Sequence, residues 1–448
     1  MVFIFCKIST IISVFVLFMI SFISSVQSVN VNNTNWSSDQ PEVESEKLKH
    51  VRDYLKKINK PAVKTIQSRD GDIIDCVLFH EQPAFDHPLL KEQKSTAPPE
   101  MLEEPTSSND TMEENFQIWR MSGESCPENT VPIRRTTEED VLRASSVQTF
   151  GRKPWNVSKE SINDNNNNHE HAIVYVSGGS YYGASTSMDV WDPKVERSNE
   201  FSLSQIWVRA GSEGYFNYIE AGWQVYPHIY HGKYPRLFVY WTKIETFTKA
   251  DGLDAERFEF QIPLRDDYQK TGCYNLLCSG FVQISRKIVP GVVIKPVTQF
   301  NNMLYDLKFS IYKTSNYGHW WLEVKGVKVG YWPRQIFTSL RDGPADMIQF
   351  GGEILNTGKF GDHTKTQMGN GQFPIKEYAY GRVACFRNIT VYSSINGLDP
   401  VVNLKLNSYT DNSKCYNTRI KGKDDDKEAK LGDHFFYGGP GGDAKGCK

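Results

Sequence analysis

The sequence predicts an all-β main domain, an antiparallel sandwich or barrel, preceded by a smaller segment holding a helix and a hairpin. Three observations carry this. Nine or more strand-like runs follow residue 171, too many for a single layer. The gaps between them lack the amphipathic helices that parallel crossovers require. Aromatic residues make up 13% of the 448-residue chain beside 33 Gly and 21 Pro, a balance that favours short strands and turns.

The elements follow in order. Val2–Ile23 is almost wholly apolar and runs into Ser24–Ser28, the profile of a signal peptide covering residues 1–28; a signal anchor is the rival reading. Both send the chain into the secretory route. Leu48, Val51, Leu55 and Ile58 recur at helical spacing, and Pro61 stops the helix. From Val63 the pattern turns β-prone, and Asp70-Gly71 joins two such runs as a hairpin. Residues 91–118 are rich in Pro, Ser, Glu and Thr and read as a surface excursion. Ser161 to His171 (SINDNNNNHEH) has no apolar periodicity and reads as an exposed linker. His169-Glu170-His171 within it could hold a metal, but a solvated linker is the better reading.

After the linker the expected strands are Ala172–Val176, Ile206–Arg209, Ile219–Tyr226, Leu237–Trp241, Phe281–Ile284, Tyr305–Tyr312, Trp320–Trp332, Met347–Ile354 and Arg382–Tyr392. Leu307, Phe309 and Ile311 alternate with polar residues, so one face of that strand is buried. The aromatic pairs Trp320-Trp321 and Tyr331-Trp332 suit core packing better than a cleft wall.

Composition restricts function. With 51 Lys and Arg against 53 Asp and Glu, no basic surface points to nucleic acid, and beyond the leader no stretch suggests a stable membrane partner. Cysteines fit an oxidising compartment: Cys273 and Cys278 are close enough to staple a turn, and Cys415–Cys447 would tie down the Gly-rich end. Cys76–Cys126 would close the preceding segment, which leaves Cys385 as a thiol outside the bridges. Sequons stand at Asn32, Asn35, Asn109, Asn156 and Asn388. Zinc is not expected, because the cysteine flanks supply no further ligands at the right spacing, and no cofactor motif appears.

His-Glu-x-x-His, the P-loop and Gly-x-Ser-x-Gly are absent; around Ser185 the second Gly is replaced by Ser187. Two acidic residues stand out instead. Along an extended Ile219–Pro227, Glu220, Gly222, Gln224 and Tyr226 share one face while Ile219, Ala221, Trp223 and Val225 share the other. The glycine leaves room there for a ligand's backbone. Glu353 lies beside Gly351-Gly352, and two such strands side by side could set two carboxylates around one water.

Seven segments in order, Gln82–Leu90 (QPAFDHPLL), Ile219–Pro227 (IEAGWQVYP), Thr271–Cys278 (TGCYNLLC), Gly330–Pro333 (GYWP), Gly351–Ile354 (GGEI), Thr366–Gly369 (TQMG) and Phe436–Pro440 (FYGGP), resemble those of the plant neprosin family. That resemblance implies a secreted glutamic peptidase, acid-active, cleaving after proline and made as a zymogen, with an antiparallel β-sandwich as catalytic domain. By the same resemblance residues 29–168 form an activation propeptide and its Asn-rich linker, and 169–448 the peptidase domain. The catalytic glutamates carried over are Glu220 and Glu353, with Gln224 as candidate oxyanion support and Tyr226 as a weaker one. The chain departs from the pattern at Lys243–Leu264, which intervene between Phe238–Thr242 and Arg265–Cys273 and read either as a strand-end loop or as translated intron. Expected partners are proline-containing peptides and the chain's own propeptide as inhibitor; expected locations are the apoplast or cell wall, with the vacuole as second. A β-sandwich glycoside hydrolase and a non-catalytic wall-polysaccharide or proline-rich-peptide binder are the alternatives.

Overall fold

The computed structural model describes residues 40–95, 116–144, 146–154, 168–212, 216–242, 272–358, 362–375, 380–397, 399–421 and 431–448. The chain divides into two compact units, Met1–His50 and Val51–Lys448. Of the first, only the opening turns of helix α1 (Gln40–Ile58) are described. The leader, the sequons at Asn32, Asn35, Asn109 and Asn156, and the insertion at Lys243–Leu264 lie outside the described residues. No helix among the described residues is long and apolar enough to cross a membrane.

The second unit opens with a small antiparallel sheet, β1 (Ala62–Gln67), β2 (Ile73–Leu78) and β3 (Thr130–Arg134), with β2 in the centre. Asp70-Gly71 makes the β1–β2 turn, where Gly71 takes φ +94°, a left-handed value that a β-carbon would strain. Cys76–Cys126 ties this sheet to the segment before β3. Helix α2 (Glu138–Arg143) follows, its start fixed by a capping box between Thr137 and Asp140.

Two larger antiparallel sheets form a β-sandwich. The remaining strands are β4 (His169–Tyr181), β5 (Gly183–Asp189), β6 (Ser202–Ala210), β7 (Asn217–Val225), β8 (Arg236–Trp241), β9 (Cys273–Tyr274), β10 (Val282–Gln283), β11 (Asp306–Lys313), β12 (Trp320–Val324), β13 (Val327–Trp332), β14 (Ala345–Leu355), β15 (Ala384–Tyr392), β16 (Asn407–Thr410), β17 (Asn417–Lys421) and β18 (His434–Gly438). One sheet runs β16-β4-β14-β6-β7-β8-β9, the other β10-β13-β12-β11-β5-β15-β18-β17. Alternation sets the layers: Ile219, Ala221 and Trp223 on β7 pack with Ile206, Val208, Ile348 and Phe350 against Leu307, Phe309 and Ile311 of the facing sheet. Trp223 also reaches across, its indole N–H donating to Asp189 O at 2.9 Å.

Several elements differ from the sequence expectation. His169–His171 are not linker but the first residues of β4, paired with Leu355, Ile354 and Glu353 of β14. Trp320–Trp332 is two strands, broken by the tight turn at Lys325-Gly326, where both residues have positive φ. Its aromatic pairs are core residues. The strand β5 spans the failed Gly-x-Ser-x-Gly motif, and β16–β18 had no sequence signal. Cys273–Cys278 and Cys415–Cys447 are bonded, and Cys385 is a buried thiol outside the bridges whose S–H donates to Phe386 O. Asn388 is exposed at a bulge in β15.

Candidate active site

The site is built on the outward face of the seven-stranded sheet. Glu220 stands on β7 opposite Trp207 of β6, and Glu353 stands on β14 opposite Leu203 of β6. The two carboxylates are therefore not on adjacent strands, as the sequence suggested: β6 lies between them. Gln205, midway between Leu203 and Trp207 on the same face of β6, is flanked by Gly222 and Gly351. Neither glycine is there mainly for a ligand. A β-carbon at Gly222 would lie 1.9 Å from Ser204 O, and one at Gly351 would lie 2.4 Å from Ala172 O, so both glycines admit the neighbouring strand.

Long side chains from β7 and β14 converge above β6, and a third residue fills the space between them. Lys153 Nζ donates to Glu220 Oε2 at 2.7 Å and to Glu353 Oε2 at 2.9 Å. All three are buried, with relative exposures of 6%, 0% and 1% for Lys153, Glu220 and Glu353. The rings of Tyr240 and Trp207 sit 5.3 and 5.9 Å from the ammonium. Burial by itself would lower the lysine pKa, but Glu220 and Glu353 outweigh it and raise it. Burial likewise favours a neutral Glu353, yet Lys153, then His169, then His171 hold it far below the ordinary carboxylate range.

Glu353 has further partners. His169 Nδ1 meets its Oε1 at 2.5 Å, and Gln205 Nε2 donates to its Oε2 at 3.2 Å. The other nitrogen of His169 meets Pro154 O at 2.6 Å; a carbonyl only accepts, so Nε2 carries the hydrogen. His171 lies 4.0 Å from Glu353 and 2.9 Å from Asp411, which Tyr409 also contacts at 2.6 Å. Burial lowers the His171 pKa, but the Asp411 hydrogen bond and Glu353 overcome that and raise it.

Gln224 and Tyr226 share the face of Glu220 but serve another neighbourhood. Gln224 Nε2 points to Tyr230 Oη at 3.4 Å, and its Oε1 is buried without a hydrogen-bond partner among the described residues. Tyr226 packs with Phe201, His228 and Tyr274, and burial raises its pKa. Gln205 therefore takes the place beside the carboxyl pair that the sequence assigned to Gln224. Lys153 was missed altogether, because a lone lysine carries no pattern; His169 was weighed only as a metal ligand and read as linker, not as a partner of the carboxyl pair. His169-Glu170-His171 does not form a metal cluster. Among the described residues only His363, Cys415 and Cys447 group closely enough, and those cysteines are joined to each other.

Residues 151–154 lie over this face: Tyr274 N donates to Gly151 O at 2.9 Å at one end, and Pro154 O meets His169 at the other. Beyond Glu353 the face opens into a cleft of about 660 Å³ whose walls include Tyr175, Trp207, Arg209, Tyr218 and Tyr409. This volume exceeds that of a single amino-acid side chain, so the cleft can take an extended stretch of peptide.

Residues 198–440 match the family Neprosin, and residues 65–175 match the Neprosin activation peptide. The chain belongs to the neprosin family. Glu220, Gln205 and Glu353 fall in the neprosin domain, whereas Lys153 and His169 fall in the activation-peptide match. A neprosin domain preceded by its activation peptide is the organisation of a peptidase zymogen, with the activation peptide as its own inhibitor. Solved structures similar to this neprosin chain include scytalido-glutamic peptidase with a transition state analog inhibitor (11% identity, 60% of this chain and 98% of that one, TM-score 0.32). SCP-B, a member of the eqolisin family of peptidases in a complex with the tripeptide Ala-Ile-His, is also similar (10% identity, 60% and 96%, TM-score 0.28).

Proposed function

We propose that this protein is the secreted precursor of an acid-active glutamic endopeptidase that cleaves after proline, with Glu220 and Glu353 as the catalytic pair. The observation that carries the reading is that both glutamates, buried and from strands separated by β6, come within 2.9 Å of one nitrogen. A single small species, Lys153 ammonium in the precursor, is held by both. Water in its place would touch both carboxyls.

Once Lys153 leaves, two carboxyls so close cannot both ionise easily, and near their ordinary pKa of about 4.3 they would share one proton. The ionised member takes a proton from water as it attacks the peptide carbonyl, and the protonated member gives one to the leaving nitrogen. Gln205 is placed to steady the developing oxyanion, and His169 orients Glu353. The flat rings of Tyr175, Trp207 and Tyr218 in the open cleft suit the flat face of proline. Three disulfides support an oxidising destination, the apoplast or cell wall first and the vacuole second.

The test is incubation of acid-treated protein with proline-containing peptides and with wall glycans, followed by mass identification of products. New ends after proline are expected. Sugar release, or retention of either ligand without any product, would overturn the reading in favour of a glycosidase or a binding protein.

A further inference from the structure

Tyr274 and Tyr226 each bury a phenol hydroxyl that has no hydrogen-bond partner among the described residues, and the two residues are 0% and 1% exposed. Leaving a buried polar atom unpaired is costly, so an orphan hydroxyl in a folded protein needs a reason. We infer that these two hydroxyls are anchors for the main-chain carbonyls of a peptide substrate, at the β9 end of the site. The inference rests on the peptidase reading above and goes beyond it by naming residues that hold substrate away from the reacting atoms.

Position supports it first. Tyr175, Gln349, Trp207, Glu220, Tyr240 and Tyr274 are successive cross-strand partners on β4, β14, β6, β7, β8 and β9, so they form one row on the outward face. Tyr175 and Trp207 stand in the open cleft, Glu220 in the carboxyl pair and Tyr274 at the far end of the row. At about 4.8 Å per strand the row is about 24 Å long, the reach of about seven extended residues. Tyr226 joins that end through Tyr274, with ring centroids 6.1 Å apart.

The packing at that end points the same way. Val141, Ala144 and Phe150, all within the activation-peptide match, share one buried cluster with Tyr226 and Tyr274. None of those three side chains has a hydrogen-bonding atom, so they leave the phenols dry and unpaired. A peptide in their place would bring the carbonyls that the phenols lack.

The chemistry suits carbonyls in particular. Tyr274 already holds one, since its main-chain N–H on the edge strand of the sheet donates to Gly151 O at 2.9 Å. A substrate strand in the place of residues 151–154 would take over that donor and meet the phenol of the same residue. Burial raises the pKa of both phenols, and Tyr226, Glu353 and Glu220 raise that of Tyr274 further, so both keep their protons and act as donors. Proline offers no main-chain N–H, which leaves the carbonyls around it to fix the chain.

Tyr274→Phe and Tyr226→Phe remove only the hydroxyls. Each is made in the full-length chain and read twice: as the Tm of the untreated precursor, and as kcat and KM on an extended proline-containing peptide after acid treatment. The precursor should melt at the wild-type temperature or higher, because losing an unpaired buried hydroxyl is neutral or stabilising. After acid treatment KM should rise about 3- to 10-fold in each variant while kcat holds, since a hydrogen bond kept equally in ground and transition states changes KM alone. An unchanged KM in both variants overturns the inference, and so does a lowered precursor Tm in both, which would mean that the hydroxyls are already satisfied there. Either result leaves the peptidase reading standing as long as the wild type cuts the peptide. A wild type that binds the peptide without cutting it ends the peptidase reading, and the anchor then stands or falls by the same loss measured in Kd. A wild type that neither cuts nor binds overturns both.

Discussion

Lys153 and Glu353, 200 residues apart in sequence, are joined by a buried 2.9 Å contact that also brings Lys153 to Glu220. Removing one partner from a buried charge cluster costs about 3–5 kcal/mol, because the remaining charges are left uncompensated. Lys153→Ala should therefore unseat residues 151–154. The full-length variant should turn over a short peptide before any chain cleavage, about 10²-fold faster than the intact wild-type precursor, since each 1.4 kcal/mol is tenfold. Equal basal rates for the two proteins would show that the lysine does not maintain latency.

Acid should release the same contact, and the sign follows from proton counts. With Lys153, His169, His171 and Gln205 facing it, Glu353 is held far below the ordinary range, so the closed form keeps it ionised. The opened pair, without the ammonium, takes up about one proton near pH 4–5. Stabilisation of the closed form is thus complete above that range and is lost as pH falls toward the depressed value of Glu353. Protection of 146–154 against hydrogen exchange, taken relative to the intrinsic rate at each pH, should fall between about pH 5 and pH 3. Greater protection at the lower pH would reverse the sign and end the idea.

A second buried carboxylate holds the small sheet to the sandwich. Asp72, in the turn between β1 and β2, receives Arg236 Nη1 of β8 at 2.5 Å and Arg134 Nε at 2.8 Å. Burial opposes its charge, but Arg236 and then Arg134 hold its pKa below the usual value. Asp72→Asn mimics the protonated state and leaves Arg236, fully buried, without its carboxylate. The variant should lose the small sheet at a higher pH than wild type, seen as earlier protease nicking within 62–134. Unchanged nicking across the acid range would assign the cluster to packing alone.

The two glutamines now separate cleanly. Gln205→Ala removes the amide beside Glu353, and loss of an oxyanion donor costs about 10²–10³-fold in turnover. Gln224→Ala removes a contact to Tyr230 and should act on stability rather than on rate. Measuring kcat and Tm for both checks the assignment; the opposite pattern would return the role to Gln224.

What the sequence disclosed and concealed divides along local and non-local lines. Glu220 and its apolar counterparts on β7 were legible because period-two alternation is local, and the Asp70-Gly71 turn was legible because turn chemistry is local too. The place of β6 between β7 and β14 was not legible, since sheet order is decided by packing between distant segments. β5 reads GASTSMD, small and polar residues whose burial comes from β11 and β15 on either side. His169 and His171 looked like solvated linker because a strand that faces a cleft carries polar residues on that face. Lys153 has a surface residue's composition and a core residue's position, which only the carboxyls, 67 and 200 residues away, explain.

The proposed catalytic pair is tested by Glu220→Gln and Glu353→Gln, which keep size and most hydrogen bonding while removing the titrating proton. In the precursor each exchange leaves Lys153 facing one carboxylate instead of two, so both variants should hold the segment 151–154 less firmly. Poor docking alone would raise activity; loss of the pair abolishes it. The two effects have opposite signs, so a fall in turnover cannot be ascribed to loosened packing. Each single variant should lose at least about 10²–10⁴-fold in kcat on a proline peptide, the usual contribution of a general acid or base. The double variant should be little worse than either, because groups that act as one unit lose their function together. A folded single variant that keeps near-native turnover at its acid optimum would remove that glutamate from the mechanism, whatever its distance from Lys153.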